Sequence, residues 1–154
     1  PNYFPNEHAY AYPNSAASSG LRIVVPAFAA NTKLYFRHQR DFDIDRDGGL
    51  ISVSVDGVNF VPAPLSAYRN CVPNSLAASS CSPPGTQGLP IWSGTTANFL
   101  EAIVDLDSAC NLASGGTTGC AGKNVRVAFT AISDCGRQLG GWNVDDVSVT
   151  ACLP

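Results

Sequence analysis

Charge is what this chain of 154 residues has least of: 14% of its positions are Asp, Glu, Lys or Arg, against about a quarter in an average soluble domain. Nine Lys and Arg against twelve Asp and Glu leave a net charge of -3, so the cationic footprint of a nucleic-acid or anionic-membrane binder is missing. Methionine is absent and histidine occurs only at His8 and His38. There is no H-E-x-x-H and no G-x-S-x-G, which leaves metalloprotease and serine-hydrolase chemistry without a motif. No C-x-x-C pair is present, which argues against zinc ribbons and thioredoxin-like redox sites. The longest apolar run, 23–30, is broken by Pro26 and is far short of the roughly 20 residues of a membrane span. No Asn-x-Ser/Thr sequon, no initiator Met and no signal-peptide apolar segment occur, so the expectation is a mature product or a domain cut from a larger protein.

What is present is apolar and rich in turns. Hydrophobic residues make up 45% of the chain, which excludes disorder, and 14 glycines with 11 prolines favour short strands over long helices. Alternation of apolar and polar residues predicts strands at 21–25, 33–42, 50–55, 99–106 and 124–132. In 33–42 one face is Leu34, Phe36, His38, Arg40 and Phe42. Asp56-Gly57 is a hairpin turn signal leading to 59–61. Across 142–150 the apolar parity switches between Val144 and Val147, which one extra residue at Asp145-Asp146 explains as a β-bulge. Residues 1–20 form an irregular lead-in or a first edge strand, and 62–98 a long stapled loop with a short strand near 89–92. No segment sustains a 3.6-residue apolar period. The fold predicted is all-β: one antiparallel β-sandwich of jelly-roll type over 1–154.

Six cysteines, Cys71, Cys81, Cys110, Cys120, Cys135 and Cys152, read as three disulfides in an exported protein, placing the chain in an extracellular or periplasmic setting. Cys71–Cys81 and Cys110–Cys120 would each staple a floppy connection, and Cys135–Cys152 would be left over. If 124–132 and 142–150 form a simple hairpin, Cys135 and Cys152 lie about 25–30 Å apart at ~3.3 Å per residue, beyond the bridging limit of about 7 Å. Either those strands are no such hairpin, or Cys152 pairs with Cys110 or Cys120. Cys71–Cys81 is the pair free of that difficulty.

The sharpest chemical motif is Asp43-Ile44-Asp45-Arg46-Asp47-Gly48, the D-x-D-x-D-G opening of a calcium loop. Alternate carboxylates can converge on one hard cation around a glycine turn. The Glu of an EF-hand is missing, since its position holds Ser54, and the flanks read as strands. Asp145 and Asp146 can complete the site or form their own, because adjacent aspartates in an apolar strand are costly to bury unpaired. Ca2+ bound by Asp43, Asp45, Asp47, Asp145 and Asp146 is the resulting expectation. No catalytic residue is expected, and His38, on an apolar face, reads as structural. Trp92, Tyr35 and Tyr68 are candidates for stacking on a sugar ring.

In order along the chain, Leu34-Tyr35-Phe36-Arg37-His38, Asp47-Gly48-Gly49-Leu50-Ile51-Ser52-Val53-Ser54-Val55-Asp56-Gly57, Ile91-Trp92-Ser93-Gly94, Val104-Asp105-Leu106, Gly122-Lys123-Asn124-Val125-Arg126-Val127-Ala128-Phe129 and Gly141-Trp142-Asn143-Val144-Asp145-Asp146-Val147 resemble MAM-like and cleaved-adhesin-like jelly-roll modules of secreted bacterial proteins. The resemblance spans about residues 21–150. It implies a non-catalytic, calcium-stabilised accessory domain of a secreted hydrolase or adhesin, monomeric within a larger chain and binding carbohydrate or a cell-surface ligand. The alternative is a protein–protein adhesion domain of a secreted peptidase, and a small hydrolase ranks behind both.

Overall fold

The computed structural model describes residues 15–71, 73–77, 84–134, 136–137 and 139–153. Chain order runs β1 (Ser15–Val24), β2 (Ala30–Asp41), β3 (Gly48–Ser54), β4 (Val61–Pro62), a 3-10 turn (Leu65–Ala67), β5 (Asn74–Ser75), β6 (Pro90–Ile91), β7 (Leu100–Asp105), α1 (Leu106–Ser114), β8 (Asn124–Ser133) and β9 (Gly141–Cys152). One sheet has the order β1-β8-β3-β4, a second β7-β2-β9, and β5-β6 is a small ribbon. Every pairing is antiparallel. The chain is an all-β antiparallel sandwich, as its alternating pattern predicts.

Alternation explains the core. On β2, Leu34, Phe36 and His38 are buried while Tyr35 and Arg37 are more exposed. They meet Ile51 and Val53 of β3, Val104 of β7, Val125, Val127 and Phe129 of β8, and Trp142 of β9. Gly49 allows the two sheets to approach: a Cβ there would lie 2.6 Å from the Trp142 ring. Ser52 and Ser54, on the opposite face of β3 from Ile51 and Val53, are buried as well. β4 pairs alongside Ser52, and the turn after β3 binds the Ser54 hydroxyl, which donates to Asp56 Oδ1 at 2.9 Å. A second cluster, Leu50, Leu76, Ile91 and Ile132, lies under the β5-β6 ribbon.

The bulge falls where the parity break puts it. β2 advances from Tyr35 to Arg37 while β9 retreats from Ser148 to Asp145, one residue too many, and Asp146 takes φ +51°. Helix α1 is a correction, because that stretch reads as strand end and loop. Its nine residues are too few for a sustained period, but its ends carry signals: Asp105 caps Ser108 N–H at 3.2 Å, and Gly115 closes it in the left-handed region.

The cysteines divide differently from expectation. Cys110–Cys120 is formed, with Cα atoms 5.3 Å apart, and ties α1 to the loop before β8. Cys71 and Cys152 are free thiols, so neither the Cys71–Cys81 staple nor a Cys135–Cys152 bridge is formed. Cys81 and Cys135 themselves lie outside the described residues. The hairpin difficulty dissolves for a topological reason: β8 belongs to one sheet and β9 to the other.

Candidate functional site

The acidic loop follows β2. Arg46 and Asp47 N–H both donate to the Asp43 carbonyl, at 3.2 and 3.0 Å, closing a tight turn. Asp45 sits at φ +59°, and its side chain turns outward to accept from Asn74 Nδ2 at 3.1 Å. Asp47 turns inward, is 2% exposed, and accepts the Asp134 N–H at 2.9 Å. Burial raises the Asp47 carboxyl above the usual range, and the like charges of Asp134 and Asp43 push the same way against the backbone N–H of Asp134 and the Ser133 hydroxyl. Asp134, also buried, is a neighbour that no sequence motif marks; its only signal is a carboxylate directly after an apolar strand.

Asp145 and Asp146 lie elsewhere. Asp145 pairs with Arg37, whereas the acidic loop begins beyond the Asp41 and Gly141 pairing, about 13 Å away at ~3.3 Å per residue. Asp145 Oδ1 accepts the Asp146 N–H at 2.8 Å, and Asp146 stands 3.7 Å from Arg37 with both side chains exposed. The bulge aims these carboxylates at solvent and at their own strand. The five aspartates therefore do not converge, and no three His, Cys, Asp or Glu side chains among the described residues are grouped to hold a metal ion.

Of the proposed stacking aromatics, Trp92 and Tyr68 are 1% and 5% exposed. Neither can offer a ring face to a ligand, which corrects that expectation. Trp92 lies 5.4 Å from Phe36, 5.1 Å from His38 and 4.9 Å from Tyr68, centroid to centroid, and its Nε1 donates to the Cys71 carbonyl. A tryptophan in a long loop reads as a surface residue; here the loop folds over the sheet and the ring is core. Burial raises the Tyr68 hydroxyl strongly. Tyr35, on the outer side of β2, keeps partial exposure. His38 is fully buried and its Nδ1 accepts from Trp142 Nε1 at 3.0 Å. Burial, with the Arg40 charge, lowers its pKa to about 4, so it is neutral and structural. His8 lies outside the described residues.

Among the described residues, one concave surface open to solvent lies on the outer face of the four-stranded sheet. Gly20, Leu21, Arg22, Phe60, Arg126, Val127 and Ala128 line a groove of about 360 Å³. Strand register puts Gly20 opposite Ala128 and Arg22 opposite Arg126. Small residues thus line its floor, and the opposed Arg22 and Arg126 line it two positions further along the same face. Phe60, 43% exposed, makes a wall. The turn before it is held by Asp56, which accepts the N–H groups of Val58 and Asn59, both at 2.8 Å. Those bonds hold the Asp56 carboxyl well below the usual carboxylate range. Arg126 Nη1 donates to the Gly57 carbonyl at 3.2 Å, and Arg22 Nη2 reaches Asn124 Oδ1 at 3.5 Å. Neither arginine forms an ion pair with a carboxylate among the described residues. Such a groove can take a ring on its apolar wall and a hydrogen-bond acceptor at its arginine end. No protein-family model matches the chain, and the search of curated proteins finds no match to it.

Proposed function

We propose that the chain is a non-catalytic binding module of a larger extracellular protein, directed at a glycan or cell-surface ligand through the outer face of the four-stranded sheet. One observation carries this reading: a solvent-open groove of about 360 Å³ with the half-exposed ring of Phe60 on its wall. Apolar rings flanked by a few polar groups are how proteins stack on sugars and bond their hydroxyls. The Cys110–Cys120 bridge supports an oxidising compartment. The sandwich is compatible with the MAM-like resemblance and with a jelly roll. Native affinity electrophoresis through gels containing single polysaccharides tests it: at least one should retard the protein, and Phe60→Ala should abolish the retardation. No retardation by any polysaccharide removes the glycan reading.

A second reading, protein–protein adhesion, draws on the exposed apolar side chains of Val58, Phe60 and Leu65, of which Phe60 lines the groove. Calcium stabilisation enters only through Asp47, a buried carboxylate with like-charged neighbours that a cation would relieve. The five aspartates do not fit one ion together. A calcium-dependent rise in melting temperature, lost in Asp47→Asn, supports the ion; equal melting temperatures in calcium and EDTA remove it.

A further inference from the structure

Directly opposed like charges on neighbouring antiparallel strands destabilise the pair unless something of opposite sign lies between or beside them. Arg22 and Arg126 are opposed in that way on β1 and β8, and the described residues supply them with no carboxylate. The two bonds they do make, to Asn124 Oδ1 and the Gly57 carbonyl, go to neutral acceptors. The nearest acidic side chain of that loop, Asp56, is engaged by Ser54, Val58 and Asn59 in its own turn. Two exposed arginines therefore occupy directly opposed strand positions on the rim of a groove that the apolar ring of Phe60 also lines. In a chain of net charge -3 this is a local inversion of sign, and it is built into strand register, not left to flexible surface lysines.

We infer that the groove lined by Arg22, Arg126 and Phe60 binds an acidic saccharide, with an oxyanion substituent held by the two guanidinium groups and the sugar ring laid against Phe60. A planar carboxylate fits the guanidinium fork through paired charge-assisted hydrogen bonds, and a sulfate presents the same acceptor chemistry. Gly20 and Ala128 keep the floor low enough for a ring to lie there, and a Cβ at Gly20 would stand 2.7 Å from the Val127 carbonyl oxygen. This inference rests on the glycan reading above and narrows it to one class of sugar.

Affinity electrophoresis with polygalacturonate, dextran sulfate and neutral dextran separates the possibilities. The expected result is retardation by an acidic polymer and none by dextran, weakened roughly tenfold or more in both Arg22→Gln and Arg126→Gln. Retardation by polygalacturonate identifies a uronate ligand, and by dextran sulfate alone a sulfated one. Arg69→Gln, remote from the groove, should leave retardation unchanged; an equal loss there would mean bulk charge attraction and overturn the inference. Retardation by neutral dextran that fails in Phe60→Ala but survives both arginine changes also overturns it, while leaving the glycan reading intact. No retardation by any polymer defeats both.

Discussion

At His38 a titratable ring lies where water does not reach. The folded chain holds it neutral down to a pKa of about 4, whereas the unfolded chain takes up a proton near the ordinary 6.5. Between those values the unfolded state binds more protons, so stability present at neutral pH is lost as pH falls from 6.5 toward about 4. The gap is worth roughly 3 kcal/mol. Denaturant unfolding at several pH values should show this slope, and His38→Asn, which keeps an acceptor for Trp142, should flatten it. An unchanged slope in the variant would assign the effect to another group. Asp47 acts with the opposite sign. Its carboxyl is raised by burial, so its ionisation costs the fold stability as pH rises through that raised value. Asp47→Asn keeps the acceptor for Asp134 N–H and removes the charge. In EDTA it should melt higher than the native chain near neutral pH and no higher in acid; a lower melting temperature at neutral pH would contradict this.

Among the elements, α1 and the loop after it depend on two aspartates doing different work. Asp105 caps the helix and meets Arg69, while Asp107 accepts from Thr32 N–H and Cys120 N–H, both at 3.0 Å. Asp105→Ala loses one cap and one surface pair, an expected cost of about 1–2 kcal/mol. Asp107→Ala strands two part-buried N–H groups and should cost more, roughly 2–4 kcal/mol, measurable by urea unfolding. Equal costs would mean that water satisfies the Asp107 partners. Regular alternation made β2, β3 and β8 legible, since one face of each packs on the core, and the parity break at 145–146 located a bulge to the residue. Helix α1 was hidden because nine residues hold too few turns for a period to emerge. The candidate site was less legible than the sheets. Arg22 and Arg126 stand 104 positions apart and become neighbours only through strand register, and the burial of Trp92 depends on where a long loop folds back.

For the molecule as a whole, two sheets close over one aromatic core, and the cysteines report on how it is covered. Native-state alkylation should label Cys152, exposed at the end of β9, first; half-buried Cys71 should follow slowly, and Cys110 and Cys120 only after reduction. Peptide mass spectrometry reads the order, and rapid labelling of Cys71 would show that the loop covering Trp92 opens readily. The outer margin of β9 bears on how copies of the chain meet one another. Among the described residues β9 is an edge strand of its sheet, with backbone donors and acceptors on its outer side that another strand could pair. At Asp146 the backbone turns out of register and two exposed carboxylates stand beside it. An incoming strand would lose its ladder there and bring apolar side chains against negative charge. The bulge thereby serves as a guard against fibrous self-association in a chain whose low charge gives it few other means of keeping its copies apart.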